Sequence, residues 1–187
     1  PPSLRQLQEV IDNSNPLQLS TGNADLRQDY THRVFARYSK TNTDKASVFY
    51  VLLSAQYTQN YIGNSTFIAN RDLMDRPGIF LQQGAQLSQP VNLDGYWNAR
   101  AFTTYGFPLS VIKSNLNFSV GGTFQRIPGL INDNLNYANN IGSSLNATLS
   151  SNISERVDFT LSSQTSYNLH IPLQILKALL SSKQFCQ

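Results

Sequence analysis

The residue types that carry most enzyme and metal chemistry are scarce in this chain and lie far apart. His32 and His170 are its two histidines, and Cys186 is its one cysteine. Neither histidine belongs to a Gly-x-Ser-x-Gly or His-Glu-x-x-His motif, which would supply a nucleophile or a zinc site. Two histidines and one cysteine at these separations match no metal site of usual spacing. We therefore expect no catalytic residue, no metal, no cofactor and no disulfide within the chain.

The acidic residues also give no sign of catalysis. Most of the 11 Asp and Glu residues lie in turn-like stretches, where hydration explains them, and no pair has a spacing that favours acid–base chemistry. His32 alternates with Tyr30 on an apolar face, which favours a side chain at a membrane interface over a general base. Gly121 and Gly122 precede no helix, so they indicate a bend in a strand rather than a phosphate loop. The sequence predicts a protein that is not an enzyme.

Composition limits the functional classes and the partners that remain. Charged residues make up only 13% of the 187, the formal net charge is +3, and Ser, Thr, Asn and Gln supply most of the polarity. There is no basic run with interleaved aromatic residues, so we expect no nucleic-acid partner. No run approaches the roughly 18 apolar residues of a transmembrane helix. The chain begins with Pro1-Pro2 and has no signal peptide, which favours a mature or excised part of a longer protein.

The clearest element is the segment from Ser114 to Arg126. Its even positions from Leu116 to Phe124 are apolar or glycine, and its odd positions from Asn115 to Gln125 are uncharged polar residues or glycine. Successive side chains of a strand point to opposite faces, so the segment has one apolar and one polar face. It exceeds the usual five to six residues of a soluble strand and is close to the roughly nine to eleven that cross a bilayer. We expect Val120→Arg to be costly and Ser119→Arg to be nearly silent.

Five further segments alternate in the same way. We predict strands over residues 30–39, 47–61, 95–107, 141–153 and 157–169, with Pro108 and Pro128 ending the strands before them. The connections then alternate in length, and the long ones are residues 62–94 and 130–140. Transmembrane barrels have short turns on one side, long loops on the other, and aromatic girdles near the strand ends. The predicted fold class is all-β: an antiparallel up-and-down meander that forms a segment of a transmembrane β-barrel.

Three regions follow from this pattern. Residues 1–29 are rich in turn residues and are predicted to form a loop that enters the barrel. Residues 30–169 are the barrel segment of about six strands, and residues 80–87 extend the flanking strands as a ribbon beyond the barrel wall. Residues 170–187 form a divergent tail in which leucines at helical spacing indicate a short helix.

The polar face of the strands supplies the candidate functional residues. If this face lines a lumen, its side chains contact water, an anionic solute or a polar protein surface; in a soluble sandwich they lie on the hydrated surface. The predicted lumen-facing residues are Arg33, Arg37, Asn98, Arg100, Asn115 and Asn117.

Four stretches carry a resemblance to a known family: Asp12–Leu17, Gly22–Tyr30, Val91–Asn98 and Tyr105–Pro108. The second is similar to a Gly-Asn-Pro-x-Leu-Lys-Pro-Glu segment that leads into a strand, with Ala24 and Gln28 in place of the two prolines. Over roughly residues 2–168 the chain resembles the barrel region of TonB-dependent outer-membrane receptors, and more closely their outer membrane protein beta-barrel group.

The resemblance implies a transporter barrel in the cell outer membrane, with substrate passing through a polar lumen. Its implied partners are the lipid bilayer, the remainder of the barrel with a plug domain, and an energising periplasmic protein. No plug domain or closing strand is recognisable, and six strands are fewer than the eight of the smallest membrane barrels, so we expect a fragment of a larger barrel. The substrate is not indicated. The alternative is a soluble β-sandwich, a binding or adhesive module whose long loops carry recognition.

Overall fold

The computed structural model describes residues 1–70, 73–76, 79–151 and 158–172, and most of them lie in strands. Within these ranges no helix is long and apolar enough to cross a membrane. The elements are α1 Leu4–Leu7, β1 Asp12–Asn15, β2 Gln18–Ser20, β3 Tyr30–Asn42, β4 Ser47–Gln59, β5 Tyr61–Ile68, β6 Leu73–Arg76, β7 Ile79–Leu81, β8 Gln86–Leu93, β9 Tyr96–Leu109, a 3₁₀ turn Ser110–Ile112, β10 Ser114–Ile131, β11 Asn134–Ser151 and β12 Thr160–Pro172.

Six long strands form an antiparallel meander in the order β3-β4-β9-β10-β11-β12. Each has 13 to 18 residues, so each is long enough to cross a bilayer with a tilt. The predicted all-β antiparallel meander is confirmed. The described sheet is open, because β3 and β12 each pair with a neighbour on one side only.

The register places most apolar residues of the six strands on one face, with Phe35, Leu52 and Phe102 on the other. Residues that oppose each other in an antiparallel ladder share a face. Phe118 opposes Tyr105 on one side and Ala147 on the other, and Tyr105 opposes Phe49 in turn. The alternation therefore has one phase across the whole sheet. Members of this apolar face include Val34, Tyr38, Phe49, Leu53, Ala99, Tyr105, Phe118, Val120, Leu145, Leu149, Leu161 and Leu169.

Short turns join the strands at one end of the sheet. Residues 43–46 connect β3 to β4, and the 3₁₀ turn followed by Lys113 connects β9 to β10. Ala46 and Lys113 have left-handed backbones, with φ of 46° in each, which lets the chain reverse within a few residues. The turn predicted at residues 154–156, between the fifth and sixth long strands, lies outside the described residues.

At the opposite end, the connection predicted as a long loop over residues 62–94 contains strands. Asn60, with φ of 51°, ends β4, and the chain then enters β5. β5 and β8 form an antiparallel ribbon that runs from the Tyr61–Leu93 pair to the Ile68–Gln86 pair, and β6 and β7 form a separate small hairpin. A ribbon is present as expected, but only its β8 strand overlaps the predicted residues 80–87, at their last two positions.

The long loop predicted over residues 130–140 is wrong. β10 runs on to Ile131 and β11 begins at Asn134, so a turn of only Asn132 and Asp133 joins them. Both turn residues have positive φ, 48° and 61°, as a tight hairpin turn requires. The repeated asparagines resemble loop chemistry, yet here they continue a ladder that extends past β9.

The two prolines expected to end strands lie inside them. Pro108 is in β9 beyond its last pair with β4, which is Val48–Gly106, so the missing N–H removes no bond from that ladder. Pro128 is in β10 between its last pair with β9, at Arg126, and the start of its parallel pairing with β5, at Leu130, so it lies in the gap between two ladders. Proline is tolerated where one side of a strand has no partner.

Residues 1–29 are not a simple loop. α1 begins with a capping box in which Ser3 and Gln6 bond each other's backbone N–H groups. β1 and β2 form a hairpin, and β2 pairs in parallel with β8. We call residues 1–29 together with strands β5 to β8 the cap, and the buried apolar core of the described chain lies within it: Leu19, Ala69, Leu81, Ala85 and Leu87.

The tail is only partly described. His170 to Pro172 continue β12, so the strand is three residues longer than predicted at this end. The helix predicted in the tail falls on residues 173–187, which lie outside the described ranges.

Candidate functional site: the two faces of the sheet

The apolar face carries large side chains that no second layer covers in the described part of the chain. Val34, Leu145 and Leu161 are 71%, 48% and 65% exposed. A water-soluble sandwich packs a second sheet on such a face to form its core. Here the core residues belong to the cap, so the apolar face is available to lipid.

A row of aromatic side chains descends across this face towards the short turns, from Tyr38, at the register level of Val120, to Phe107, which opposes Leu116 at the lower margin. Tyr38, Phe49, Tyr105 and Phe107 follow one another across three strands. Their successive ring centroids are 6.3, 6.4 and 5.4 Å apart. Amphipathic rings near the lower margin are typical of the girdles that flank the apolar band of a membrane barrel.

The upper margin is a single register level that crosses five strands: His32, Tyr57, Trp97, Arg126 and Asn139 oppose one another in turn. The rings of Tyr57 and Trp97 lie 4.8 Å apart. The first four side chains combine an apolar or long body with a polar end, which suits the headgroup region. Ten residues separate Leu116 from Arg126, which at a rise of about 3.3 Å and a tilt of about 40° gives a band about 25 Å tall.

Arg126 occupies an unusual position on this upper level. Its guanidinium carbon lies 3.7 Å from the centroid of the Tyr137 ring, a cation–π contact. A Cβ on Gly95, whose φ is +95°, would lie 3.2 Å from Cε1 of that ring, so glycine leaves room for Tyr137. Within the described residues, Nε of Arg126 and Nδ2 of Asn139 are buried without a hydrogen-bond partner.

The polar face brings the six predicted site residues onto one side of the sheet. Arg33 and Asn98 lie at one level, since both oppose Gln56. Arg37 lies at the register level of Gly121, halfway between Leu116 and Arg126, and Arg100 lies two residues nearer the upper margin; Asn115 and Asn117 lie near the short turns. Because the described sheet is open, the lumen-facing role of these residues stays a prediction.

Charge on the polar face has one sign. Arg33, Arg37 and Arg100 are its cations, and no Asp or Glu occupies a polar-face position of the six described strands. None of the three forms an ion pair within the described residues. Arg37 lies over the ring of Tyr50, with its guanidinium carbon 5.3 Å from the centroid. The face is therefore electropositive at mid-depth.

Arg100 borders a concavity of about 520 Å³ that sequence reasoning missed. Its wall includes aromatic and leucine side chains from β4 and β9, glycines of β10 and β11, and hydroxyl or amide groups of β11 and β12. These residues are Tyr50, Leu52, Phe102, Gly121, Gly142, Ser144, Ser166 and Asn168. A second concavity, of about 420 Å³, shares Arg100 and Asn168 with it and adds Asn98 and Gln125. Parity assigns each residue to the face, but only the cross-strand register shows which residues are neighbours.

Two ionisable groups outside the membrane band have shifted pKa values. Partial burial raises the pKa of Tyr61, whose ring stacks on that of Tyr96 at 4.5 Å between centroids, and the second phenol adds to the rise. The Ser14 hydroxyl and backbone N–H lower the pKa of Asp12, with a smaller contribution from Arg5. Both groups lie in the cap, away from Arg100.

Comparison with known families agrees with this geometry. The model of the outer membrane protein beta-barrel family matches residues 2–175. No curated protein and no solved structure matches the chain. The chain therefore belongs to the outer membrane protein beta-barrel family, and it is localised in the outer membrane, where lipid surrounds its apolar face.

Proposed function

We propose that the chain is part of the membrane-spanning barrel of a TonB-dependent receptor-like transporter, a non-enzymatic protein that takes up substrate through a polar lumen. The observation that carries this proposal is the shared phase of six long strands. One face is apolar over a bilayer's depth, and the other carries amides, hydroxyls and three arginines. A barrel built from such strands has a lipid-facing outside and a wet interior.

The cap supports the transport part of the proposal. Long outer connections capture solute in barrels of this kind, and here they are ordered by main-chain pairing between β2, β5 and β8. Side chains also join the cap to the strands: Asn92 Nδ2 donates to the carbonyl oxygens of Arg27 and Asn60, at 3.0 and 2.8 Å. The stretch Gly22–Tyr30, which resembles the receptor group, lies within this cap and leads into β3.

The energising partner and a plug domain are part of the same proposal. Uptake through a plugged receptor consumes energy from the inner membrane, whereas diffusion through an open pore does not. The test is uptake of a labelled solute by cells that express the protein, with and without an uncoupler and with the energising periplasmic protein deleted. Loss of uptake under both conditions supports the proposal. Uptake that persists with the uncoupler would identify a passive pore and refute TonB dependence.

The soluble sandwich is not supported by a specific observation. Its core would need a second sheet over the apolar face, and the described residues contain no such layer. Membership of an outer-membrane family also favours lipid at that face.

A further inference from the structure

We propose that Arg100 is the centre of a binding site for an anionic ring solute that carries hydroxyl groups, such as a uronic acid. The site is the concavity of about 520 Å³ on the polar face. This inference rests on the proposed transport function, because it names the chemical class of the solute that the polar face takes.

The first argument is charge. Arg100 is exposed, and within the described residues it has no ion pair and no hydrogen bond. The described strands place no carboxylate on this face, so the guanidinium of Arg100 is available to the negative charge of a solute. A guanidinium presents a rigid fork of N–H donors that binds a carboxylate or phosphate through two parallel hydrogen bonds. Because the concavity contains one such guanidinium, we expect a ligand with one negative charge.

The second argument is space. A Cβ on Gly121 would lie 2.5 Å from Ser144 Oγ and 3.4 Å from Phe102 Cδ2, so a side chain there would displace the Ser144 hydroxyl while Phe102 stays at contact distance. A Cβ on Gly142 would meet Thr123 Oγ1 and Asn168 Oδ1 at 2.5 and 2.8 Å. The two glycines lower the floor of the site on adjacent strands. The resulting volume is within the roughly 300–1,000 Å³ of small-molecule sites.

The third argument is the chemistry of the walls. Phe102 and Tyr50 provide apolar ring surface on one side of Arg100. The guanidinium of Arg37 makes a cation–π contact with the ring of Tyr50. Ser144, Ser166 and Asn168 provide hydroxyl and amide groups on the other side. A bare inorganic anion would leave the aromatic surface unused. A ring with C–H groups on its face, hydroxyls at its rim and one carboxylate uses all three surfaces.

The spacing of the arginines favours one charge rather than several. Arg100 and the β3 arginines are two strands apart and offset by two residues, because Phe35 is at the level of Arg100. With strands about 4.8 Å apart and a rise of about 3.3 Å, the Cα atoms are about 12 Å apart. The guanidinium of Arg37 is engaged by the ring of Tyr50, so we assign direct contact with the anion to Arg100, and the β3 arginines add positive potential.

The experiment is calorimetric titration of the purified protein in detergent at fixed ionic strength. The probes are glucuronate, its neutral counterpart glucose, and acetate, which carries the charge without the ring. We expect glucuronate to bind at least tenfold more tightly than either. Arg100→Gln should weaken glucuronate at least tenfold, and Phe102→Ala should remove most of the preference over acetate.

The controls separate binding from folding. Arg100→Lys keeps the charge but loses the bidentate fork, so it should bind with intermediate affinity. Lys45→Gln removes an exposed charge from the short turn of residues 43–46, at the opposite end from the cap, and should leave the affinity unchanged. Each variant is first checked for the heat-modifiable gel mobility of a folded barrel. If glucuronate binds no better than glucose or acetate, or if folded Arg100→Gln binds it normally, the proposed site is refuted.

Failure of this inference is distinguishable from failure of the proposed function. Binding to purified protein needs no energising partner. Arg100-dependent binding of glucuronate together with uncoupler-resistant uptake would retain the site and refute TonB dependence. Uncoupler-sensitive uptake of another solute, with no glucuronate binding, would retain the function and refute the site.

Discussion

Placing one charge in the middle of the apolar face tests the assignment of that face to lipid. Val120 is 37% exposed and opposes Thr103 and Leu145. It lies four residues from Leu116 and six from Arg126, the two margins of the band. At a rise of about 3.3 Å and a tilt of about 40°, these separations correspond to depths of about 10 and 15 Å. Val120→Arg therefore puts the charge close to mid-band.

The expected cost follows from that depth. Arginine at the bilayer midplane of a barrel destabilises folding by about 2–4 kcal/mol. Its long side chain can reach towards the nearer margin, which is about 10 Å away, so we expect the lower half of that range, about 2–3 kcal/mol. Val120→Leu keeps the site apolar and serves as the packing control, with a cost below about 1.5 kcal/mol.

The matched charge control lies on the polar face at similar depth. Gln164 is exposed on β12 and opposes Asn146, which opposes Ser119, the neighbour of Val120. Gln164→Arg should change the free energy of unfolding by less than about 0.5 kcal/mol. Ser119 is unsuitable, and the expectation that Ser119→Arg is nearly silent is withdrawn. Its side chain is buried, and its hydroxyl is 2.9 Å from Thr104 Oγ1.

The assay is urea unfolding of the protein folded in phosphatidylcholine vesicles, followed by the fluorescence of Trp97, the one tryptophan of the chain. The free energies of the variants are compared at one urea slope, since a changed slope would report a different unfolded or folded state. If Gln164→Arg costs as much as Val120→Arg, or if Val120→Arg costs nothing, the assignment of the two faces is wrong.

Three further predictions concern the margin and the cap. Trp97 is at the headgroup level, so lipids brominated near the carbonyls should quench its fluorescence more than lipids brominated near the chain ends; the reverse order would move it to the membrane interior. Gly22→Ala places a methyl group against the carbonyl oxygen of Gln8 and should release the N-terminal segment, with a cost of about 1–3 kcal/mol and faster proteolysis there. The raised pKa of Tyr61 favours its protonated form in the folded protein, so its contribution to stability is present below pH 10 and is lost as the pH rises through the folded-state pKa. The absorbance difference at 295 nm between the protein and Tyr61→Phe should have its midpoint above pH 10, and a midpoint below it would contradict the burial of Tyr61.

The apolar and polar faces could be predicted from the sequence because the strand period of two needs no tertiary information. Each long strand has its own alternation of apolar and polar residues. The cross-strand register keeps the apolar positions of all six strands on the same face. The same argument placed Arg100 on the polar face. Its neighbours Phe102 and Gly142 could not be recognised as one site, because their proximity depends on pairing across β9, β10 and β11.

The cap could not be predicted for a related reason. β2 pairs in parallel with β8, which joins residues nearly 70 positions apart, and Leu19 and Leu87 meet only through that pairing. The extension of β10 and β11 beyond the bilayer band was missed because hydrophobic alternation stops where lipid stops. Asn134 and its neighbours keep the hydrogen-bonded ladder while losing the apolar pattern that identifies a strand.

The depth of the charges gives an argument for lipid that does not depend on hydrophobicity. The six long strands contain no Asp or Glu, and their five Lys and Arg residues divide by face. On the apolar face, Lys40 and Arg126 lie at the two margins; on the polar face, Arg37 and Arg100 lie within the band. Water on both sides of a sheet would impose no such division. A charge at mid-depth is tolerated only where the side chain meets water, so the positions of the arginines identify the wet face independently of the leucines.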